Sequence, residues 1–284
     1  MEQRTIVDEI KFQLRNGKMT VRLIIVNVFI FAAIHLIGFV EGLFGNTMWS
    51  LRFFTFPTGL FEFLVNPWTL ITSIFAHVSL GHLFFNMLFL FFAGAMYEQI
   101  FGSKKLLITY LAGGIIGNLF ELLATLLIPD FSAPHYVLGA SGAIMAIFTA
   151  IAVYRPQTPI YLFGIVAIPI YVLALFFLAK DLIGIGASDE IAHFAHLGGA
   201  FFGFLSVQQV HSNSNILNQL NGLFQKKKNA DSTKNRRFKS DEVYNAEKKA
   251  KQERVDAILD KISKSGYESL TREEKDFLFN QGNS

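Results

Sequence analysis

Residues 79–101 read SLGHLFFNMLFLFFAGAMYEQIF. This stretch carries a single formal charge, Glu98, and is otherwise dominated by Phe, Leu and Met. About 20 such residues suffice to cross a bilayer as a helix, which satisfies its own backbone groups in hydrocarbon. Working outward, five more apolar segments occupy 23–44, 106–128, 137–154, 159–179 and 191–210, of which 137–154 is short for a span. A further run from Phe53 to Val65 carries Pro57, Gly59 and Glu62. It suits an interfacial or re-entrant piece, with Trp68 just beyond it at the membrane boundary.

Charge divides the chain. Residues 23–210 hold 5 basic and 8 acidic side chains, whereas residues 211–284 hold 15 and 11. The first stretch is too apolar, and the second too polar, to share one water-soluble core. The reading is an all-α polytopic membrane protein with six transmembrane helices over 23–210 and a cytoplasmic helical tail. With no cysteine, disulfides, thiolate–metal sites and a cysteine nucleophile are excluded. The basic balance needs no nucleic acid to explain it. Residues 1–22, read as a cytoplasmic segment rather than a cleavable signal, carry Arg4, Lys11, Arg15, Lys18 and Arg22. Lys104, Lys105, Arg155 and Lys226 to Lys228 fall in loops of the same side, so both termini are expected in the cytoplasm of a cell membrane. The tail reads as a polar linker over 211–240 and a small helical hairpin over 241–284, a candidate for docking a cytoplasmic partner. Val255, Ile258, Leu259 and Ile262 share one helical face, and Thr271 with Glu274 forms a capping-box pattern.

Polar residues inside apolar segments are costly and mark candidate sites. With the N-terminus inside, the second, fourth and sixth segments all begin at the outer face. His82 and Asn86 lie near the start of the second, Ser141 about four residues into the fourth and His196 about five into the sixth. Helix rise puts Ser141 and His196 roughly 6–8 Å below one surface. Gly139 and Gly142 flank the serine region, leaving room for close approach and open N–H groups at a helix start. Gly199 and Gly203 form a GxxxG that lets the sixth segment pack backbone-close against a neighbour.

Each piece also has a packing interpretation. A serine between glycines, or His82 with Asn86 one turn apart, can simply join helices. Asn27, His35, Asn118 and Glu121 are read as structural, as is Glu98, bonding backbone groups of a neighbouring loop. A metal site using His77, His82, His193 and His196 lacks an HExxH pattern, and His193 and His196 lack the i, i+4 spacing of zinc helices. Together, the nucleophile, base and oxyanion donors outweigh the separate structural interpretations.

Four motifs in order resemble those of the rhomboid family of intramembrane serine proteases: His77 to Asn86, Gly94-x3-Glu98-x3-Gly102, Gly139-Ala140-Ser141-Gly142, and Ala195-His196-Leu197-Gly198-Gly199-x3-Gly203. The resemblance covers about residues 20–210. It implies Ser141 as nucleophile and His196 as general base, with His193 set aside by the glycine spacing after His196. It implies His82, Asn86 and the Ser141 N–H as oxyanion hole, His77 as a residue lining and hydrating the cavity, and 45–76 as an outer-leaflet loop. Two positions depart from the family pattern: Thr69 where many members have Arg, and Met145 where many have a Tyr that stacks on the base. The C-terminal hairpin resembles a short module on rhomboids of Bacteroidetes-like bacteria. The implied function is cleavage of transmembrane segments near the outer face of a bacterial inner membrane, with no cofactor or metal. No Asp is expected at the site, so a Ser-His dyad is expected. An inactive rhomboid-like binder, or a transporter using His35 and Glu121, are the alternatives.

Overall fold

The structure, a computed structural model, describes residues 5–45, 49–131, 133, 135–162, 166–187, 191–210, 212–223 and 241–282. The chain divides into two compact units, Met1–Gln225 and Lys226–Ser284. In the first, α1 (Ile6–Asn16) leads into α2 (Met19–Leu43). Two short helices, α3 (Trp49–Phe54) and α4 (Leu60–Val65), flank the strand β1 (Phe56–Pro57). The apolar run from Phe53 is thus broken into pieces too short to span. After α5 (Thr69–Thr72), α6 (Leu80–Phe89) starts under a Ser79 cap whose hydroxyl accepts from the His82 N–H at 3.2 Å. It continues through a π-helical turn, Leu90–Gly94, into α7 (Ala95–Phe101). Gly102, at φ +87°, then turns the chain into α8 (Ser103–Leu127).

Strand β2 (Tyr136–Val137) pairs antiparallel with β1, Phe56 opposite Val137. Helix α9 (Ser141–Tyr154) follows and is buried continuously from Gly142 to Ala152. A hairpin of β3 (Pro159–Leu162) and β4 (Val166–Pro169) precedes α10 (Ile170–Gly184) and α11 (His193–Ser206). The expected fifth span over 159–179 is therefore corrected. Two prolines bracket its first half, Pro169 caps α10, and β-branched Ile160, Val166 and Ile168 suit paired strands. As a result α10 runs five residues further, and Asp181, two residues past the expected end of that span, lies within it and is buried.

Helices α8, α9 and α11 form the central packed trio. A Cβ on Gly117 of α8 would stand 2.6 Å from the Ala195 carbonyl oxygen of α11. Met19–Leu43, Leu80–Phe101 and Ser103–Leu127 are long and apolar enough to cross a membrane. Helices α9, α10 and α11 have 14, 15 and 14 residues, roughly 21–23 Å, less than a full hydrocarbon core. Exposed Phe29, Phe39, Phe61, Leu80, Leu127 and Ile183 form an apolar outside that suits lipid rather than water.

Polar groups inside the bundle are paired inward. The Asn27 amide donates to the Leu23 carbonyl and Tyr110 hydroxyl at 2.7 and 3.0 Å, and Asn118 donates to the Leu70 carbonyl and Ser73 hydroxyl. The Glu98 carboxylate accepts from the Met19 and Thr20 N–H groups at 2.7 and 3.0 Å, and from the Thr20 and Ser103 hydroxyls. Through these contacts Glu98 caps the start of α2, whose own N-cap residue makes no side-chain cap bond.

Helix α12 (Ile216–Leu223) occupies part of the stretch read as a solvated linker. Leu217 is fully buried among Ile108, Ala146 and Phe202, and the Asn215 side-chain oxygen Oδ1 accepts from the Leu217 and Asn218 N–H groups. Residues 211 and 224–240 of that stretch lie outside the described residues. The second unit holds α13 (Asp241–Ser265) and α14 (Arg272–Gly282), with Gly266 at φ +76° between them. Thr271 and Glu274 exchange N–H bonds at 2.7 and 3.3 Å, and Lys261 donates to both Glu274 oxygens. Ile258 and Leu270 are buried, whereas Leu259, expected on the same face as Ile258, is 51% exposed.

Candidate active site

A cavity of about 1200 Å³ opens among α6, α8, α9, α10 and α11. Ser141 lies on its wall as the first residue of α9, where its N–H belongs to the first turn and has no acceptor within the helix. Gly139, at φ +116°, sets this entry. A Cβ there would stand 2.8 Å from the His82 ring, so the glycine lets that imidazole sit beside the serine. His196 lies one turn into α11, and its Nε2 is 2.8 Å from Ser141 Oγ. The two residues, 55 positions apart, are thus directly hydrogen-bonded.

The position of α11 follows from three contacts. The Ala195 N–H donates to the Glu121 carboxylate of α8 at 2.8 Å. A Cβ on Gly199 would overlap the Gly142 carbonyl oxygen, and one on Gly203 would overlap that of Ala146. The GxxxG therefore packs backbone-close, and the neighbour it faces is α9.

His82, Asn86, Gly139 and Met145 all line the cavity with Ser141 and His196. Asn86 uses one amide N–H on the His82 carbonyl at 2.9 Å and keeps a second donor. His77 differs from expectation. It is fully buried and absent from the lining, with its ring 5.0 Å from that of His82. It precedes the Ser79 cap, so the chain carries it behind His82 rather than into the opening. Its Nδ1 lies 3.3 Å from the Phe75 carbonyl, and its Nε2 is buried without a protein partner among the described residues. Glu98 and Gly199 support the bundle from outside the cavity.

The expectation that no acid stands at the site is corrected. Asp181 of α10 places Oδ1 2.8 Å from His196 Nδ1 and 2.9 Å from His193 Nδ1. Sequence reasoning missed it because Lys180-Asp181 reads as the edge of a loop. Its signal was an acid at the end of an apolar run. Asp181, His193 and His196 are also the one set among the described residues whose ligand-type atoms lie close enough to hold a metal ion. Both Nδ1 atoms meet a single carboxylate oxygen at 2.8–2.9 Å, the spacing of an N–H group donating to a carboxylate.

His135, in the loop before β2, has Nε2 3.2 Å from the Glu121 carboxylate, which also holds Ala195. The bond to Glu121 outweighs partial burial and raises His135 above its usual 6.5. For a raised histidine the stabilisation is complete below 6.5 and is lost as pH rises through the higher folded value. The melting temperature in detergent is expected to be lower at about pH 8.5 than at about pH 6, and His135→Gln is expected to flatten that difference. An unchanged difference in the variant would rule out this contact as its cause.

The chain is similar to known proteins over the helical unit that carries this cavity. A family model described as Rhomboid domain matches residues 65–212, and one described as a family of unknown function, DUF6576, matches residues 239–280. The chain is 35% identical over 144 residues to RHOMBOID-like protein 12, mitochondrial, of Arabidopsis thaliana, covering 46% of this chain and 43% of that protein. It is 32% identical over 143 residues to Rhomboid protease GluP of Bacillus subtilis (strain 168), covering 49% of this chain and 25% of that protein. Over 79 residues it is 37% identical to Inactive RHOMBOID-like protein 8 of Arabidopsis thaliana, covering 28% of this chain and 22% of that protein. The matched stretches span less than half the length of each relative. The Rhomboid-domain match takes in more than half of the 284 residues, and the chain, an integral membrane protein, belongs to the rhomboid family.

Proposed function

We propose that this chain is an intramembrane serine endopeptidase that cuts transmembrane segments of other membrane proteins near the outer face of a bacterial inner membrane. The observation that carries the reading is the 2.8 Å contact between His196 Nε2 and Ser141 Oγ inside an open cavity. His196 takes the serine proton as Oγ attacks a substrate carbonyl. The resulting oxyanion is met by the Ser141 N–H, the His82 ring and the Asn86 amide. His196 then protonates the leaving amine, and water entering from the outer surface hydrolyses the acyl-enzyme. A substrate helix must unwind locally first, because its carbonyls are otherwise bonded.

The proposed topology is six spans with both termini cytoplasmic, supported by the Lys and Arg distribution. The short helices α9, α10 and α11 need not reach both surfaces where they border an aqueous cavity. The tail hairpin is proposed to dock a cytoplasmic partner.

The test needs no substrate. Purified protein in detergent is treated with a fluorophosphonate probe. Wild type is expected to label, Ser141→Ala to abolish labelling, and His196→Ala to slow it by at least about 10²-fold. No labelling of folded wild type would support an inactive membrane-protein binder, as the name of one relative suggests for that protein. Labelling that survives Ser141→Ala would place the nucleophile elsewhere.

A further inference from the structure

We propose that Asp181 is a positioning residue that holds His196 in the tautomer able to act as base, and that His193 holds Asp181 in turn, making a Ser141–His196–Asp181 triad. The inference rests on Ser141 and His196 being the reacting pair.

The argument begins with what each atom can donate. One oxygen of Asp181, Oδ1, faces both Nδ1 atoms, at 2.8 Å from His196 and 2.9 Å from His193. A single oxygen meeting two ring nitrogens accepts from both, so each Nδ1 carries a proton. With its proton on Nδ1, neutral His196 presents a lone pair at Nε2, and Nε2 is the atom 2.8 Å from Ser141 Oγ. The opposite tautomer would put a hydrogen where the serine proton must go.

Burial makes the arrangement specific. The side chains of Asp181 and His193 are 3% and 6% exposed. A buried carboxylate is costly without donors, and these two imidazoles supply them. The placement of His193 is itself built in. Gly184, one turn beyond Asp181 on α10, leaves the space that the His193 ring occupies, since a Cβ there would overlap it. Among the described residues, the other ionisable groups lining the cavity are His82 of α6, Glu121 of α8, His135 before β2, Tyr136 in β2 and Lys180 beside Asp181. Among the described residues, the group that His196 Nδ1 meets is Asp181.

The carboxylate also acts during the reaction. When Oγ bonds to the substrate carbonyl carbon, its proton passes to Nε2 and the ring becomes a cation. The anion beside Nδ1 offsets that charge without taking the proton.

Three full-length variants, Asp181→Asn, Asp181→Ala and His193→Ala, separate this role from simple helix joining. For fluorophosphonate labelling, the maximal rate is expected to fall about 10²–10⁴-fold in the Asp181 variants, with the probe's half-saturating concentration unchanged. His193→Ala is expected to slow it about 10-fold. Nitrogen-15 spectra of histidine-labelled protein are expected to show His196 Nδ1 protonated in wild type, and that proton moved to Nε2 in Asp181→Ala. Folded Asp181→Asn labelling at the wild-type rate, or a wild-type His196 with Nδ1 unprotonated, would overturn the proposal. If Asp181→Ala does not fold, the Asn variant and the wild-type spectrum decide. If wild type does not label at all, the Ser141–His196 reading fails, and the wild-type spectrum still tells whether Asp181 sets the tautomer.

Discussion

Replacing Gly199 with alanine is expected to cost about 3 kcal/mol of stability and about 10²-fold in fluorophosphonate labelling rate. The added methyl has nowhere to go, because its position overlaps the Gly142 carbonyl oxygen. That oxygen belongs to the backbone of a buried helix, so no rotamer change relieves the clash. Helices α9 and α11 must separate, and the separation acts where they carry Ser141 and His196, which meet at 2.8 Å. A useful control is Gly42→Ala, where a Cβ meets nothing within 4 Å. There the better helix propensity of alanine makes a neutral or slightly stabilising result the expectation. Thermal unfolding in detergent and probe labelling check both variants. A Gly199→Ala protein with wild-type stability and rate would show that α9 and α11 do not pack backbone to backbone.

Glu98→Ala is expected to destabilise the protein by about 2–4 kcal/mol, while folded molecules keep the probe reactivity of wild type. Four groups lose their acceptor at once: the Met19 and Thr20 N–H groups and the Thr20 and Ser103 hydroxyls. Helix α2 has no other side-chain cap at its start. Glu98→Gln is expected to recover only part of the loss, since its amide NH₂ presents hydrogens to N–H donors. Glu98 lies outside the cavity lining, so chemistry and stability should separate in this variant, unlike in Gly199→Ala. Unfolding within about 0.5 kcal/mol of wild type would mean that water replaces the cap at little cost.

The contrast between these residues shows which kinds of information the chain displays openly. The GxxxG of Gly199 and Gly203 is visible in sequence as a capacity for close packing, but the partner is not. Only the structure sets those glycines against Gly142 and Ala146. Glu121 was legible as a structural acid, yet its two partners, Ala195 and His135, come from different segments. His77 shares a motif with His82 and still ends up behind it, because a helix cap two residues later redirects the chain.

The membrane character and the three long apolar helices were determined by sequence alone. Both depend on properties summed locally along the chain: hydropathy over about 20 residues and a fixed rise per residue. The acid at the site was decided by the tertiary structure. Asp181 follows Lys180 at the edge of an apolar run, so local rules assign it to a loop. It becomes helical only because the preceding residues pair as β3 and β4 and shift the start of α10 to Ile170. Its bonds to His193 and His196 join residues 12 and 15 positions away on another helix. Such a pairing depends on how two helices sit against each other, which local hydropathy and charge do not encode.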